Sequence, residues 1–526
     1  MLRKEVILLL LSICLTRSYK FLVYSPIFGY SHMNFMGAIA DTLTEAGHNV
    51  TVLMPIMDVD LINKTGLKIT KNIIITPPDS RTVELQKNKA DMFSKVWTMQ
   101  PILMELLQMR DNMTKWVTYQ CEAVISDDEL MKKLEGEKFD VGISEAFSIC
   151  GFGIFEMIKV RATIATAAAV YFDVASRAIG EPVIPSYVPG MSATSDRMSF
   201  TERLMNVIDS WAGEKFLGHV LRSEIEVFRA KFGPQFKSCE ELLAQASYMF
   251  TNSNPYLDYP RPMLHKTVSI GGIAVQHDKK KNALPKEWDS ILNARKRTVL
   301  VSFGSIVLSI YMPELYKKTL LSVFESMPDT TFIWKYEEKG TKLADHLRNV
   351  HLSTWVPQKA LLADPRLTVF VTHAGLASTT ELAHFGKPAI LIPVQGDQPR
   401  NAQMFAKHGT GIVLTKYDLG TPQKLKESLE RIFSDDSFTE NATRLSEMLL
   451  TPPISAKQLL IRHSEFAAKF GRLPNLDPYG RQLSFVEYFL LDVFLAIIAI
   501  IVLVVVVTIM IFRKCMSLFT VKMKRD

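Results

Sequence analysis

The sequence predicts an α/β protein with two doubly wound parallel sheets, followed by one helix that crosses a membrane. Short apolar, β-branched runs alternate with helix-length segments from Lys20 onward and again from Thr298 onward, which is typical of parallel sheets. A turn-forming stretch rich in proline, residues 252–262, separates the two series. The uncharged run 493–512 is close to the ~20 residues that a spanning helix needs.

The periodicity of apolar residues predicts the individual strands and helices. In the first series, Ser31 is a suitable N-cap for the helix between the first two strands, and a later strand runs into Glu145. Strands are predicted at 20–24, 50–54, 139–144, 298–302, 331–334, 350–353, 368–372 and 389–392, and helices at 312–326 and 456–470.

The two ends of the 526-residue chain indicate a membrane protein. Residues 1–18 combine a basic start with a short apolar run, which is typical of a cleaved secretory signal. The span at 493–512 is followed by the basic tail 513–526, which the positive-inside rule places in the cytoplasm. We therefore predict a single-pass type I protein whose large amino-terminal part is luminal.

The last residues of the tail resemble a dilysine retrieval signal of the endoplasmic reticulum, with Lys524 third and Lys522 fifth from the end. The basic flank of a membrane span would give the same pattern. Between the two ends we predict an amino-terminal Rossmann-like domain over 19–275, a linker over 276–297, a carboxyl-terminal Rossmann-like domain over 298–455 and a helix with its return to the membrane over 456–490.

Cysteine and charge usage restrict the classes of function. Of five cysteines, only Cys121, Cys150 and Cys239 are luminal by this topology, so at most one disulfide forms among them. The net charge of +7 is spread thinly, and no basic and aromatic patch indicates nucleic acid. Homo-oligomers and hetero-oligomers both stay open. Four candidate glycosylation sequons begin at Asn49, Asn63, Asn112 and Asn441.

The stretch 355–403 has the layout of a ligand site. The strand 368–372 ends in the small-residue turn 373–375, and a helix should follow with Glu381 in its first turn and Gly386 at its end. Asp397 and Gln398 follow the next strand. Ligands of open α/β sheets bind at such strand ends, and a helix N-terminus there attracts anions.

This stretch resembles the donor-binding signature of the UDP-glycosyltransferases, in particular the membrane-bound UDP-glucuronosyltransferases. Ala374 and Ser378 stand where the family often has glycine, but both are small and their amides can still donate to phosphate. The matching positions are Trp355, Pro357, Gln358, Thr372, His373, Gly375, Glu381, Gly386, Pro388, Pro393, Asp397, Gln398, Asn401 and Ala402.

The resemblance implies the GT-B arrangement, in which two Rossmann-like domains face each other across a cleft, and it assigns roles. The carboxyl-terminal domain would bind the UDP-sugar and the amino-terminal domain the acceptor. Trp355 would stack on uracil, unless it is a core residue, and Gln358 would bind the polar edge of uracil. Ser305, His373 and the amides of Gly375 to Ser378 would bind diphosphate without a metal, Glu381 ribose, and Asp397, Gln398 and Asn401 the sugar.

The resemblance also implies a catalytic base in the amino-terminal half. His32 matches the family's base, and the helix N-terminus there should keep its imidazole neutral near pH 7. Glu145 ends the strand that carries the acidic partner, although the family more often has Asp. From residue type alone, a helix-capping histidine and a solvated strand-end carboxylate are the simpler interpretations.

The sequence therefore predicts an inverting, metal-independent hexosyltransferase of the endoplasmic reticulum that conjugates glucuronic acid to lipophilic small molecules. The same chemistry with UDP-glucose and a non-catalytic nucleotide-sugar-binding protein are the two alternatives. The Met-rich segments 92–113 and 191–208 suit an acceptor pocket and ordinary helix cores equally well.

Overall fold

The structure is a computed structural model that describes residues 18–87, 89–99, 103–169, 171–275 and 284–523. The chain divides into two compact units, of which the first ends at Leu476 and the second begins at Asp477. Residues 1–17 of the predicted signal sequence, residues 276–283 of the predicted linker and Lys524 lie outside the described residues.

The first unit begins with a seven-stranded sheet in which every neighbouring pair is parallel. The strand order is β3-β2-β1-β4-β5-β6-β7, so the chain winds outward in both directions from the β1/β4 pair. The strands are β1 (Lys20–Tyr24), β2 (Asn49–Pro55), β3 (Asn72–Thr76), β4 (Val141–Glu145), β5 (Ala162–Ala167), β6 (Tyr248–Thr251) and β7 (Thr267–Ser269).

Nine helices connect these strands in the described part of the first half. The longest, Phe200–Phe232, starts with a capping box formed by Ser199 and Glu202. The helices are α1 (Tyr30–Glu45), α2 (Ser80–Gln86), α3 (Lys89–Lys95), α4 (Leu103–Ser126), α5 (Asp128–Glu137), α6 (Cys150–Met157), α7 (Asp173–Ile179), α8 (Phe200–Phe232) and α9 (Cys239–Ala244), with a 3₁₀ turn at Val59–Leu61.

The second half of this unit contains a six-stranded parallel sheet in the order β10-β9-β8-β11-β12-β13. Its strands are β8 (Arg297–Ser302), β9 (Thr330–Lys335), β10 (Val350–Ser353), β11 (Leu367–Thr372), β12 (Ala389–Leu391) and β13 (Gly411–Val413). Its helices are α10 (Glu287–Leu292), α11 (Glu314–Glu325), α12 (Gln358–Ala363), α13 (Leu376–Phe385), α14 (Gln398–Ala406), α15 (Pro422–Ser434), α16 (Ser437–Leu450) and α17 (Ala456–Phe470).

Two predicted helix starts are wrong by about one turn or less. Helix α1 begins at Tyr30 with Gly29 as its N-cap, not Ser31, because Gly29 takes a positive φ of 61° that glycine adopts without strain. Helix α13 begins at Leu376, so Ser378 lies in its first turn and Glu381 in its second. The predicted linker also contains structure, since α10 buries Trp288 in the core of the second sheet.

Helix α17 covers a face of the first sheet although it follows the second sheet in the chain. Its residues Leu460, Ala467 and Ala468 belong to the hydrophobic core of the first sheet. Lys457 pairs with Glu45 of α1 at 2.9 Å. Helix α17 therefore forms part of the hydrophobic core of the amino-terminal half.

A segment that follows α3 is buried in the core of the opposite half. Trp97 is fully buried, packs against Phe303 with ring centroids 5.0 Å apart, and donates its indole N–H to the Leu308 carbonyl at 3.0 Å. Lys416 donates to the carbonyls of Val96 and Met99. Trp97 thus serves neither an acceptor pocket nor the core of its own helix.

Among the described residues, the cysteines form one disulfide, which agrees with the prediction of at most one. Cys121 of α4 is bonded to Cys150, the first residue of α6. Cys239 is free and buried, and Cys515 is free and exposed.

The second unit consists of short turns and one long apolar helix. After Pro474–Leu476 closes the first unit, Tyr479–Gln482 forms a 3₁₀ turn, followed by α18 (Phe485–Tyr488) and α19 (Leu491–Met523). Residues Leu491–Leu518 of α19 are long and apolar enough to cross a membrane, which is a slightly longer stretch than the predicted 493–512.

We predict that Trp97→Ala destabilises the chain strongly. Removing a fully buried tryptophan leaves a cavity and costs ~3–5 kcal/mol, so the melting temperature of the detergent-solubilised protein should fall by several degrees. Trp211→Ala is the matched control, because Trp211 is 61 % exposed and its loss should change the melting temperature little. Equal shifts for both variants would contradict the interlocking role of Trp97.

Candidate active site

A histidine and a carboxylate meet at the carboxyl ends of β1 and β4. Nδ1 of His32, in the first turn of α1, lies 2.8 Å from Oε2 and 3.0 Å from Oε1 of Glu145, the last residue of β4. The backbone amide of Ala168 donates to Glu145 Oε1 at 3.0 Å, which holds the carboxylate in place. The longer side chain at position 145 therefore reaches the imidazole, and Nε2 is the ring atom left to accept a proton.

The surroundings of His32 act on its charge in opposite directions. Burial lowers the pKa of the imidazole, but the carboxylates of Glu145 and Asp397 raise it more, so the net pKa of His32 is raised. The expectation that the helix N-terminus keeps this ring neutral does not account for these two carboxylates. His32 is consequently a stronger base than an isolated histidine.

An aromatic cavity adjoins the His32–Glu145 pair. The rings of Phe28 and Phe147 lie 6.3 and 5.6 Å from the imidazole, and Trp116 meets Phe28 edge-on at 5.0 Å. None of these aromatic residues was singled out in the sequence. The cavity is lined by Tyr24, Ser25, Pro26, Phe28, His32, Met36, Met57, Val117, Ser144, Glu145, Phe147 and Ser148.

Trp355 stands at the mouth of the second sheet and faces residues of the first. Its side chain is 54 % exposed, which excludes a core role. Tyr30 meets it edge-on with centroids 6.5 Å apart, and the ammonium of Lys64 lies 4.9 Å from its centroid. The carboxyl ends of both sheets therefore meet around this ring.

Three predicted donor residues form one hydrogen-bonded group. The amide nitrogen of Gln358 donates to Glu381 Oε2 at 2.7 Å and to Ser378 Oγ at 3.1 Å. Lys359 lies 3.6 Å from the other oxygen of Glu381. Burial raises the pKa of Glu381, although Lys359 and Gln358 oppose that rise.

His373 packs tightly between two glycines beside a lysine. A Cβ added to Gly304 or Gly375 would lie 2.6 or 2.7 Å from its ring, so neither position has room for a side chain. Burial and the nearby Lys335 lower the pKa of His373 to about 4. The ring is therefore neutral at pH 7 and can donate one N–H without carrying charge.

Ala374 occupies a backbone conformation that favours glycine. Its φ is 63° and its side chain is fully buried. A residue with a Cβ in the left-handed region costs roughly 1–2 kcal/mol. Alanine at a position where the family often has glycine therefore strains the backbone of the turn between His373 and α13. The small size of alanine does not remove this strain.

The residues after β12 form a second polar group. Asn401 donates its amide to Asp397 Oδ2 at 2.9 Å. Burial raises the pKa of Asp397, while Asn401 and the nearby His32 oppose that rise. The amide oxygen of Gln398 accepts from the backbone N–H groups of Val394 and Gln395, so only its amide nitrogen can reach a ligand.

Ser305 is exposed just beyond β8, and a lysine that the sequence reasoning missed lies next to it. Lys335 donates to the Gly304 carbonyl at 2.7 Å and lies 5.9 Å from the Trp355 centroid. Lys335 is the last residue of a fully buried strand. A charge at that position indicates the ligand-binding edge of an α/β sheet, so the signal was present in the sequence. Lys64 and Tyr30 carried no comparable local signal.

Comparison with known proteins agrees with this geometry. Residues 20–526 match the protein-family model described as "UDP-glucoronosyl and UDP-glucosyl transferase". The chain is 28 % identical over 501 residues to the putative UDP-glucuronosyltransferase ugt-47 of Caenorhabditis briggsae, which covers 93 % of this chain and 92 % of that protein. It is 27 % identical over 502 residues to human UDP-glucuronosyltransferase 1A1, covering 94 % of this chain and 91 % of that protein.

Solved structures share the fold. The glycosyltransferase of kitacinnamycin superposes with a TM-score of 0.59 at 16 % identity, covering 86 % of this chain and 99 % of its own. The spinosyn forosaminyltransferase SpnP gives a TM-score of 0.55 at 18 % identity, covering 86 % of this chain and 99 % of its own. The predicted GT-B arrangement of two Rossmann-like halves is confirmed.

We predict that two substitutions separate nucleotide binding from sugar binding. Trp355→Ala should weaken UDP binding about tenfold, because stacking of a base on an aromatic ring contributes ~1–3 kcal/mol. Asp397→Ala should leave the Kd of UDP nearly unchanged but raise the KM of the UDP-sugar. Titration calorimetry with UDP measures the first effect, and Trp355→Phe, which keeps an aromatic face, is the control. Equal loss of UDP affinity in both alanine variants would contradict this division.

Proposed function

The chain belongs to the UDP-glucoronosyl and UDP-glucosyl transferase family, and from this we propose that it transfers glucuronic acid from UDP-glucuronate to hydroxyl groups of lipophilic small molecules. Membership makes it a UDP-glycosyltransferase that takes a UDP-sugar donor and a small-molecule acceptor. The glucuronosyl donor is supported by relatives such as ugt-47 and human UDP-glucuronosyltransferase 1A1, which are named for that sugar.

The observation that carries the proposal is the hydrogen bond between His32 and Glu145 beside an aromatic cavity. Nδ1 of His32 and Oε2 of Glu145 are 2.8 Å apart, and Phe28 and Phe147 flank the imidazole. Many enzymes remove a proton from a hydroxyl group with one ring nitrogen of a histidine while a carboxylate holds the other ring nitrogen. The aromatic rings suit an apolar acceptor.

In the proposed reaction, His32 Nε2 takes the proton of the acceptor hydroxyl as its oxygen attacks the anomeric carbon. The bond from that carbon to the UDP oxygen breaks on the opposite face, so the configuration inverts. Glu145 stabilises the imidazolium that forms. Asp397 approaches from the second half of the molecule and would hold a sugar hydroxyl close to the base.

The leaving UDP would be stabilised by groups of this chain without a bound metal. Lys335 brings a positive charge to the loop that contains Gly304, the neutral His373 can donate an N–H, and the N-terminus of α13 presents backbone amides. Trp355 would stack on uracil, and Glu381 would accept hydrogen bonds from ribose.

UDP-glucose remains the alternative donor because the family description includes glucosyl transfer. The two donors differ at one carbon, which carries a carboxylate in glucuronate and a hydroxymethyl group in glucose. A non-catalytic binding protein is the other alternative, but such a protein would not need the pairing of His32 with Glu145.

We also propose that the enzymatic unit is luminal in the endoplasmic reticulum and anchored by α19. The helix is compatible with a single membrane span, and the basic residues Arg513 and Lys514 directly follow its uncharged run 493–512. Among the sequons, Asn49, Asn63 and Asn112 are exposed, but the Asn49 amide oxygen accepts from the Asn72 amide at 3.3 Å, and the Asn441 amide donates to the Gly409 carbonyl. Asn63 and Asn112 are therefore the better glycosylation candidates.

Two assays on membranes test the donor and the orientation of the chain. Membranes that contain the full chain should convert members of a phenol panel to glucuronides when UDP-glucuronate and UDP-glucose are offered at equal concentration, with products identified by mass spectrometry. Protease added to sealed vesicles should remove only the tail. Glucosides as the main product would show that UDP-glucose is the donor. Digestion of the large unit in intact vesicles would contradict its luminal orientation.

We predict that His32→Ala lowers kcat at least ~10²-fold, as expected for a lost general base, while the Kd of UDP stays the same. Glu145→Gln should also lower kcat. The double variant should be hardly slower than His32→Ala, because the two residues act as one unit. Independent, multiplying effects would mean that Glu145 acts elsewhere, and Glu145→Asp tests whether the longer side chain is required.

The same pair predicts a pH dependence with a definite sign. The catalytic form of His32 is neutral, and Glu145 raises the pKa of this histidine. As the pH is lowered, kcat/KM should therefore begin to fall at a pH above about 6.5, the ordinary pKa of histidine. Removing the carboxylate charge in Glu145→Gln should lower the pKa of His32 and move this acidic limb to lower pH. If the acidic limb of the pH profile is the same in the variant, the pH dependence does not arise from the His32–Glu145 pair.

A further inference from the structure

A buried carboxyl group that the proposed mechanism does not use lies next to Ser148, a residue that lines the aromatic cavity. It belongs to Glu224, in the second half of α8, which is fully buried. One oxygen accepts from the hydroxyl of Ser148 at 2.7 Å, and the other accepts from the backbone N–H of Ile149 at 2.8 Å. Both donors belong to the turn that directly follows Glu145.

The turn held by Glu224 shapes the proposed site from two sides. Glu145 at its start bonds the base, and Phe147 in its middle lies 5.6 Å from the imidazole of His32. Phe147 and Ser148 both line the cavity. A displacement of this turn would therefore move the partner of the base and the acceptor wall together.

The same turn leads into helix α6, whose start is tied down independently. Cys150, the first residue of α6, is bonded to Cys121 of α4. Gly151 packs so closely that an added Cβ would lie 2.3 Å from Ser144 Oγ. A disulfide and close packing thus tie down the helix start, and Glu224 bonds the backbone amide of Ile149 just before it.

Stability alone does not account for an acid at this position. Burial raises the pKa of Glu224 to about 7, so the folded environment opposes its ionisation. Within the described residues, Glu224 forms no ion pair with a cation, and a hydrophobic residue in a helix core would avoid this cost. Residues that break local rules of folding in this way tend to serve a site.

One other interpretation of this cluster can be set aside. The sulfur atoms of Cys121 and Cys150 and a carboxylate oxygen of Glu224 lie within 4.8 Å of one another, a grouping that could suit a metal ion. Metal ligation needs thiolates, however, and the two sulfur atoms are bonded to each other. The carboxyl group of Glu224 instead accepts hydrogen bonds from Ser148 and Ile149.

We propose that Glu224 is a positioning residue for the acceptor side of the site, which acts by holding the turn from Glu145 to Ile149 against His32. The proposal rests on the proposed transfer to a hydroxyl acceptor and adds a residue that determines how the acceptor is seated. Glu224 touches neither substrate nor the base; it acts through Ser148 and the Ile149 amide.

The test compares Glu224→Gln with Glu226→Gln in the full-length chain in detergent. Both variants replace a carboxyl group of α8 by a carboxamide, but the Glu226 side chain is 66 % exposed and pairs with Arg229 of its own helix. With the best phenol of the panel, Glu224→Gln should raise the acceptor KM about tenfold, because a carboxamide has one acceptor oxygen where the carboxyl group of Glu224 accepts from both Ser148 and Ile149. The KM of the UDP-sugar and the Kd of UDP should change less than about twofold, and Glu226→Gln should match the wild type.

Two further measurements make the result decisive. Ser148→Ala removes the hydroxyl group that donates a hydrogen bond to Glu224. The acceptor KM of the Ser148→Ala/Glu224→Gln double variant should therefore be hardly higher than that of Glu224→Gln alone. Amide hydrogen exchange of the peptide that contains residues 146–150 should become faster in Glu224→Gln and stay unchanged in Glu226→Gln.

The outcomes separate this proposal from the proposed function. Unchanged exchange in 146–150 together with an unchanged acceptor KM would overturn the positioning role. A parallel loss of UDP affinity would also overturn it, because it would indicate a general structural role of Glu224. If the wild-type chain converts no phenol, the proposed function fails, and the exchange comparison still decides whether Glu224 holds the turn.

Discussion

The parallel direction of all neighbouring strands is the constraint on which the site depends. In a parallel sheet every strand ends at the same edge, so residues far apart in the chain are brought together whenever they follow a strand. Glu145, Lys335, His373 and Asp397 all stand at or just beyond such ends. Because the two sheets present these edges to each other, Tyr30 contacts Trp355 and His32 senses the charge of Asp397.

The two histidines of the site show how one architecture supports different chemistry. Carboxylates raise the pKa of His32, whereas burial and Lys335 lower that of His373 to about 4. Environments that separate the pKa values of similar groups commonly separate their roles. The first ring is thus suited to take a proton, and the second to donate a hydrogen bond to a phosphate without adding charge.

The two halves of the first unit are interlocked by chain segments that cross between them. Trp97 from the first half is buried near Phe303, which directly precedes the glycine loop of the second. Arg400 of α14 pairs with Asp258 at 2.6 Å and donates to the Pro189 carbonyl. Helix α14 also begins beside Asp397, so these contacts tie the proposed sugar-binding residues to the amino-terminal half.

The sequence by itself determined the alternation of strands and helices, the apolar helix near the end and the residues of the donor signature, because these patterns are local and periodic. Strand 350–353 and helix 456–470 were predicted with their observed bounds. Only the tertiary structure decided that Glu145 reaches His32, that Lys64 lies over Trp355, that Trp97 crosses to the other half and that Glu224 holds the turn beside the cavity. Each of these depends on contacts between residues distant in the chain, and periodicity carries no information about which distant residues meet. The strain at Ala374 belongs to the same class, since its φ is set by the packing of the turn and not by its own side chain.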